Sequence, residues 1–208
     1  MKILIDGDSF AAGNYADGTS DGGIGPILAD LLGPGHEVFN CAVPGATYAA
    51  RAAAVYTTLA THDPDLVICI AGVNDAAAGN GGPVSAQVAA AVRTYADAVL
   101  QRRPDPNRVK LVIGLIPQTD DLAARPLLNI AIDTANHGVW SSWYQWGYAT
   151  WVPVLYDLSG LAKEYLGPDK VHPTADGYRW MAYRIYEAIQ VGGQIPDLPP
   201  LPVPAGGA

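Results

Sequence analysis

The sequence predicts a three-layer α/β/α sandwich built on a five-stranded parallel sheet in the flavodoxin-like order 2-1-3-4-5. Three observations carry that expectation. Apolar, β-branched runs bounded by turn residues alternate with longer segments of helical periodicity. The composition, 50% hydrophobic and 15% charged over 208 residues, fills one α/β core without a break that would divide it. The polar motifs fall directly after the apolar runs, at the strand ends where doubly wound sheets bind their ligands.

Taken in order, Lys2 to Ile5 reads as the first strand and runs into the turn Gly7-Asp8-Ser9. A helix is expected over Ile24 to Leu32, a second strand over Glu37 to Asn40 and a helix over Thr47 to Ala60. Asp65 to Ala71 is the most hydrophobic strand, followed by a helix from Val84 to Arg103 and a fourth strand from Val109 to Leu115. A helical stretch from about Pro126 to Gly147, a fifth strand over Val152 to Tyr156 and a last helix over Ala175 to Gln190 complete the pattern. Right-handed crossovers then place helices on both faces of the sheet. Residues 1–191 are expected to form one domain. Residues 192–208, which include Ile195-Pro196-Asp197-Leu198-Pro199-Pro200-Leu201-Pro202, read as a Pro/Gly-rich tail or linker in polyproline geometry. Such a tail can be solvated, contact a partner or lead into a further module.

Composition excludes several classes of function. A net charge of −8 and scattered Lys and Arg leave no basic field for a phosphate backbone, so nucleic acid is not an expected partner. The opening apolar run is too short for the core of a signal peptide and no segment is apolar enough for membrane insertion, so a soluble, non-exported protein is expected. Cys41 and Cys69 follow or end strands on opposite sides of the first strand, roughly 9–10 Å apart and beyond disulfide reach. They are expected as two free, buried thiols. No compact His/Cys/Asp cluster suggests a metal site, and no cofactor is expected.

The chemistry is concentrated in four short motifs. Ser9 follows a strand directly, with Gly7 behind it, so its Oγ is held clear of the sheet as a nucleophile's would be; a simple turn with Asp8 or Ser9 capping a helix is the alternative. His172, in Asp169-Lys170-Val171-His172-Pro173 before the last helix, is the base expected to face it. Asp169, three residues earlier, can accept from the imidazole Nδ1–H, fixing the tautomer that leaves Nε2 free for the serine proton; an Asx-turn is its bland reading. Asn74, in Gly72-Val73-Asn74-Asp75, can present an amide to a developing oxyanion, or can be a turn residue. Gly45 follows Pro44, which is also a common turn pair. His36 and His62 precede strands, at the opposite rim. His137 suits a pocket or the surface.

These motifs, in this order, resemble those of the SGNH hydrolases, the GDSL-like esterase/lipase family, over nearly all of residues 2 to 190. Phe10 departs from the commoner Leu or Ile of the first block. The resemblance implies Ser9, Asp169 and His172 as catalytic residues and the Ser9 N–H, Gly45 and Asn74 as the oxyanion hole. It implies a serine esterase working through an acyl-enzyme on a small-molecule or carbohydrate ester, with a small acyl group such as acetyl expected. Pocket positions are expected at Asp8, Asn14, Tyr15, Gln118, Thr119, Trp140 and Trp143. The aromatic segment from Trp140 to Trp151 can instead be core. A non-catalytic glycan-binding or structural module, such as part of a phage tail, remains the alternative, and the expected setting is cytoplasmic, or virion-associated if the protein is of phage origin.

Overall fold

The computed structural model describes residues 1–13, 21–78, 85–100, 109–121, 124–143 and 153–191. Its strands are β1 (Lys2–Gly7), β2 (Glu37–Asn40), β3 (Leu66–Ile70), β4 (Lys110–Gly114) and β5 (Pro153–Tyr156). They form one five-stranded sheet in the order β2-β1-β3-β4-β5, and every pairing is parallel. This is the expected doubly wound arrangement. β3 lies at its centre with all five residues buried, as a parallel strand covered on both faces must be. β2 is an edge strand, exposed at its ends and half-buried between them.

The helices are α1 (Ser9–Ala12), α2 (Ile24–Leu32), α3 (Tyr48–His62), α4 (Val73–Ala78), α5 (Ser85–Leu100), α6 (Leu128–Trp143) and α7 (Ala175–Val191). α3 packs on α5 and α5 on α6, forming one outer layer, while α2 packs on α7 to form the other. Their inward faces keep helical spacing. On α3 these are Tyr48, Ala52, Val55 and Leu59, and on α7 Tyr178, Met181, Ala182, Ile185 and Ile189, all buried.

Element ends move for local reasons. Thr47 is the N-cap of α3 and not its first residue, its hydroxyl accepting from the Ala50 N–H at 3.3 Å. α6 begins two residues after Pro126, because the chain from Asp121 first closes turns in which Arg125 N–H donates to Asp121 O and Leu128 N–H to Arg125 O. Val152, residues 101–103 and residues 144–147, all assigned to elements from the sequence, lie outside the described residues, as does the tail from 192. Two short helices, α1 and α4, are not among the expected elements, although α1 is the helix capped by Asp8 that the alternative reading of the first turn allowed. Each begins directly at a strand end and is too short to show a periodic pattern.

Both cysteines are free, but only Cys69 is buried; Cys41 is half-buried, which corrects the expectation of two buried thiols. Cys41 lies just past the edge strand, so no strand covers its outer side. Its Sγ is 3.5 Å from His62 Nε2.

Candidate active site

β1 delivers the serine. At Gly7 the backbone has φ +137, and a Cβ there would stand 1.9 Å from the Ile70 carbonyl oxygen of the adjacent strand. Only glycine fits so close an approach. Asp8 then caps α1 by accepting from the Phe10 N–H at 3.0 Å, and Ser9 is the first helical residue, 6% exposed. Tyr178 of α7 donates to the Ser9 carbonyl at 3.3 Å.

The histidine comes from a tight loop before α7. The loop is closed by an antiparallel bridge between Leu166 and Pro173 and by Gly167 N–H donating to His172 O at 2.8 Å. Lys170 takes φ +58 to make the turn. Asp169 Oδ1 accepts from the Val171 and His172 N–H groups, each at 2.9 Å, while its Oδ2 lies 2.6 Å from His172 Nδ1. His172 Nε2 is 3.0 Å from Ser9 Oγ, across 163 residues of sequence. Burial pushes the Asp169 carboxyl up, but the imidazole and the two backbone donors outweigh it and hold the group below its ordinary value. Asp169 is therefore an acceptor and the Nδ1 atom carries the proton, an arrangement in which the neutral imidazole has Nε2 free to accept from the serine hydroxyl.

Asn74 sits in the first turn of α4. Its Nδ2 donates to Ala46 O at 3.0 Å and makes a longer contact of 3.4 Å to Asp8 Oδ2. Gly45 lies in the exposed loop after β2 with φ +78, and a Cβ there would meet nothing within 4 Å. Glycine at this position answers the backbone conformation, not crowding by neighbouring protein atoms. Asp75, beside Asn74, accepts from the Tyr48 N–H at 3.1 Å and so joins α4 to the start of α3.

The expected pocket residues separate. Asp8 is 1% exposed beneath Ser9, not at a pocket surface. Burial raises its carboxyl to about 7, against backbone donors that lower it and a contribution from Asp75 that raises it further. Thr119 is also buried, its N–H and hydroxyl both directed to Asn129 Oδ1 at 3.0 and 3.2 Å, so it serves the scaffold. Gln118 donates to Asp133. Trp143 packs in the core, whereas Trp140 is 49% exposed on the outer face of α6. Asn14 and Tyr15 lie outside the described residues. A cavity of about 270 Å³ opens between Ala76 and Ala77 of α4, two and three residues after Asn74, and the segment Ala124 to Leu128.

Several supporting residues went unread in the sequence. Asn136, on α6, accepts from the Ile116 N–H and donates to the Ile116 carbonyl, both at 2.9 Å, and Asn129 grips Thr119 in the same way. Their spacing of two helical turns was the available signal. Asp6 breaks an otherwise apolar strand, and it is fully buried against Arg51 and Tyr95. Among the described residues, no group of three or more His, Cys, Asp or Glu is placed to hold a metal ion. No described helix is long and apolar enough to cross a membrane.

Fold and site define a doubly wound α/β protein in which a serine, a histidine and an aspartate are hydrogen-bonded in series at the carboxyl rim of the sheet. Its sequence matches the GDSL-like Lipase/Acylhydrolase family over residues 7–180, and the chain belongs to that family. Similar solved structures include a lipase/acylhydrolase from Enterococcus faecalis, at 21% identity and TM-score 0.68 over 93% of this chain and 96% of that one. An aryl esterase from M. smegmatis is 22% identical with TM-score 0.70, covering 93% and 99% of the two chains. A carbohydrate acetylesterase from Sinorhizobium meliloti is 17% identical with TM-score 0.71, again covering 93% and 99%. No curated protein matches the sequence.

Proposed function

We propose that the protein is a serine esterase in which Ser9 is the nucleophile, His172 the general base and acid, and Asp169 its orienting carboxylate. The observation that carries this reading is the continuous path from Ser9 Oγ to His172 Nε2 at 3.0 Å and from His172 Nδ1 to Asp169 Oδ2 at 2.6 Å. Ser9 Oγ attacks the ester carbonyl as Nε2 takes its proton. The tetrahedral oxyanion collapses with the same proton passing to the leaving alcohol, and an acyl-enzyme remains. Water, deprotonated by Nε2, then attacks the acyl carbon; collapse releases the acid and returns the proton to Ser9 Oγ.

The oxyanion donors in this reading are the Ser9 and Gly45 N–H groups and Asn74 Nδ2. The Asn74 bond to Ala46 O holds one amide hydrogen, and the other, at the long 3.4 Å contact to Asp8, is the one left available to a substrate oxygen. A small acyl group such as acetyl, carried on a carbohydrate, is the proposed substrate. Support comes from a similar fold in a carbohydrate acetylesterase.

Ser9→Ala is expected to abolish hydrolysis of p-nitrophenyl acetate while leaving thermal unfolding unchanged, and a fluorophosphonate is expected to label Ser9 stoichiometrically. An undiminished rate in the Ser9→Ala protein overturns the reading. Absence of labelling on folded protein favours a glycan-binding module instead. Release of acetate from acetylated xylo-oligosaccharides, compared with p-nitrophenyl esters of increasing chain length, tests the substrate class.

A further inference from the structure

The three proposed oxyanion donors stand on three separate segments, after β1, after β2 and on α4. Their spacing depends on what ties those segments together. Between the first and second lies a fully buried charged cluster outside the proposed catalytic machinery. Asp6, three residues before Ser9, is 0% exposed. Its Oδ1 accepts from the Gly7 N–H at 2.8 Å and from Arg51 Nε at 2.6 Å, and its Oδ2 accepts from the Tyr95 hydroxyl at 2.8 Å. Arg51, 6% exposed on α3, then extends an Nη2 hydrogen to the Cys41 carbonyl at 3.2 Å. Cys41 is the root of the loop that carries Gly45, and Val43 in that loop donates to the Gly7 carbonyl at 3.0 Å.

A buried ion pair is poor value as a source of stability alone, since desolvation offsets most of the attraction. A pair of apolar residues would fill the same space. What the guanidinium supplies that they could not is a planar fork with donors in fixed directions, here one to the nucleophile strand and one to the neighbouring loop. Lysine has the charge but cannot hold both acceptors at these angles.

We propose that Arg51 is a positioning residue: by bridging Asp6 and the Cys41 carbonyl it sets the separation between the Ser9 segment and the Gly45 loop, and so the geometry of the oxyanion hole. Asp6 anchors the bridge, and Tyr95 supports Asp6 without touching the loop. This inference rests on the esterase reading given above.

Two variants separate positioning from simple stability. Arg51→Lys is expected to lower kcat for p-nitrophenyl acetate by about tenfold or more with KM within about twofold, measured well below its unfolding temperature. Tyr95→Phe removes one bond to Asp6 and is expected to lower the unfolding temperature while kcat stays within about twofold. The rate of Ser9 labelling by a fluorophosphonate should follow kcat in both. If Arg51→Lys does not fold, the double variant Asp6→Asn/Arg51→Gln, which leaves no buried charge unpaired and whose shorter side chain cannot bridge to Cys41, is expected to show the same loss of kcat. A folded bridge variant with near-normal kcat overturns the proposal, as does an equal kcat loss in Tyr95→Phe. Neither outcome touches the esterase reading, which falls if Ser9→Ala retains activity or if folded wild-type protein is not labelled at Ser9.

Discussion

Asp8 shows how one residue can hold the Ser9 turn together at a cost that depends on pH. Its carboxyl caps α1 and lies beneath Ser9, and burial raises it to about 7. A carboxyl whose folded-state value is raised above its unfolded one favours the native state fully below the unfolded value, near 3.8. That contribution is lost as pH rises towards and through about 7. Asp169 is shifted the other way, so its contribution is present above the ordinary carboxylate range and lost on acidification. The two trends overlap in the wild-type curve, and the Asp8→Asn variant separates them. Relative to wild type, its unfolding temperature is expected to climb by several degrees from pH 4 to pH 8 in calorimetry; a constant difference would show that Asp8 does not titrate in that window. Asp169→Asn tests the proposed triad at the same level. The Val171 and His172 N–H groups would keep the amide oxygen at the Oδ1 position, so Nδ2, a donor, would face His172 Nδ1 and favour the wrong tautomer; kcat is then expected to fall by roughly 10⁴-fold with the fold retained.

The elements show what a sequence can and cannot disclose. Each of the five strands and five long helices was legible, because the strands are short apolar, β-branched runs bounded by turn residues and the helices carry one apolar face. Ser9, Asn74, Asp169 and His172 stood out because each follows a strand or precedes a helix within a dense local motif. Arg51 and Tyr95 did not: they lie within long helices, 45 and 89 residues from Asp6, and only the three-dimensional packing of α3 and α5 brings them to it. Asn136 is hidden for the same reason, since it serves Ile116 from 20 residues away. Replacing Asn136 with Ala would leave the buried Ile116 N–H and C=O without partners. A loss of about 2–4 kcal/mol in urea unfolding is expected, and a loss below 1 kcal/mol would show that the strand-to-helix loop relaxes around the gap. At the β1–β3 junction, Gly7→Ala would drive a Cβ to within 1.9 Å of Ile70 O. It is expected to cost about 3 kcal/mol or more, read in the same way.

For the whole molecule, the sheet and its two helical layers form a single core to which the ends of the described chain both contribute. The buried residues of α7 continue to Ile189, two residues before that helix ends at Val191. We propose residues 1–191 as the folding unit and 192–208 as an appended tail. A chain ending at Val191 is then expected to unfold within about 2 °C of the full sequence and to hydrolyse p-nitrophenyl acetate at an equal rate. A drop of more than about 5 °C would place the tail against the domain.

The Ser9–His172 contact joins the first loop of the sheet to the segment that leads into its last helix. On the proposed reading, a ribosome makes the nucleophile 163 residues before the base, which follows only after all five strands have been translated. A nascent chain therefore carries a serine with no partner to activate it, and ester cleavage begins only when α7 docks on α2 and draws the histidine loop into place. Completion of folding is the switch that arms the site, so prematurely terminated fragments, however well they collapse, have nothing with which to hydrolyse the esters around them.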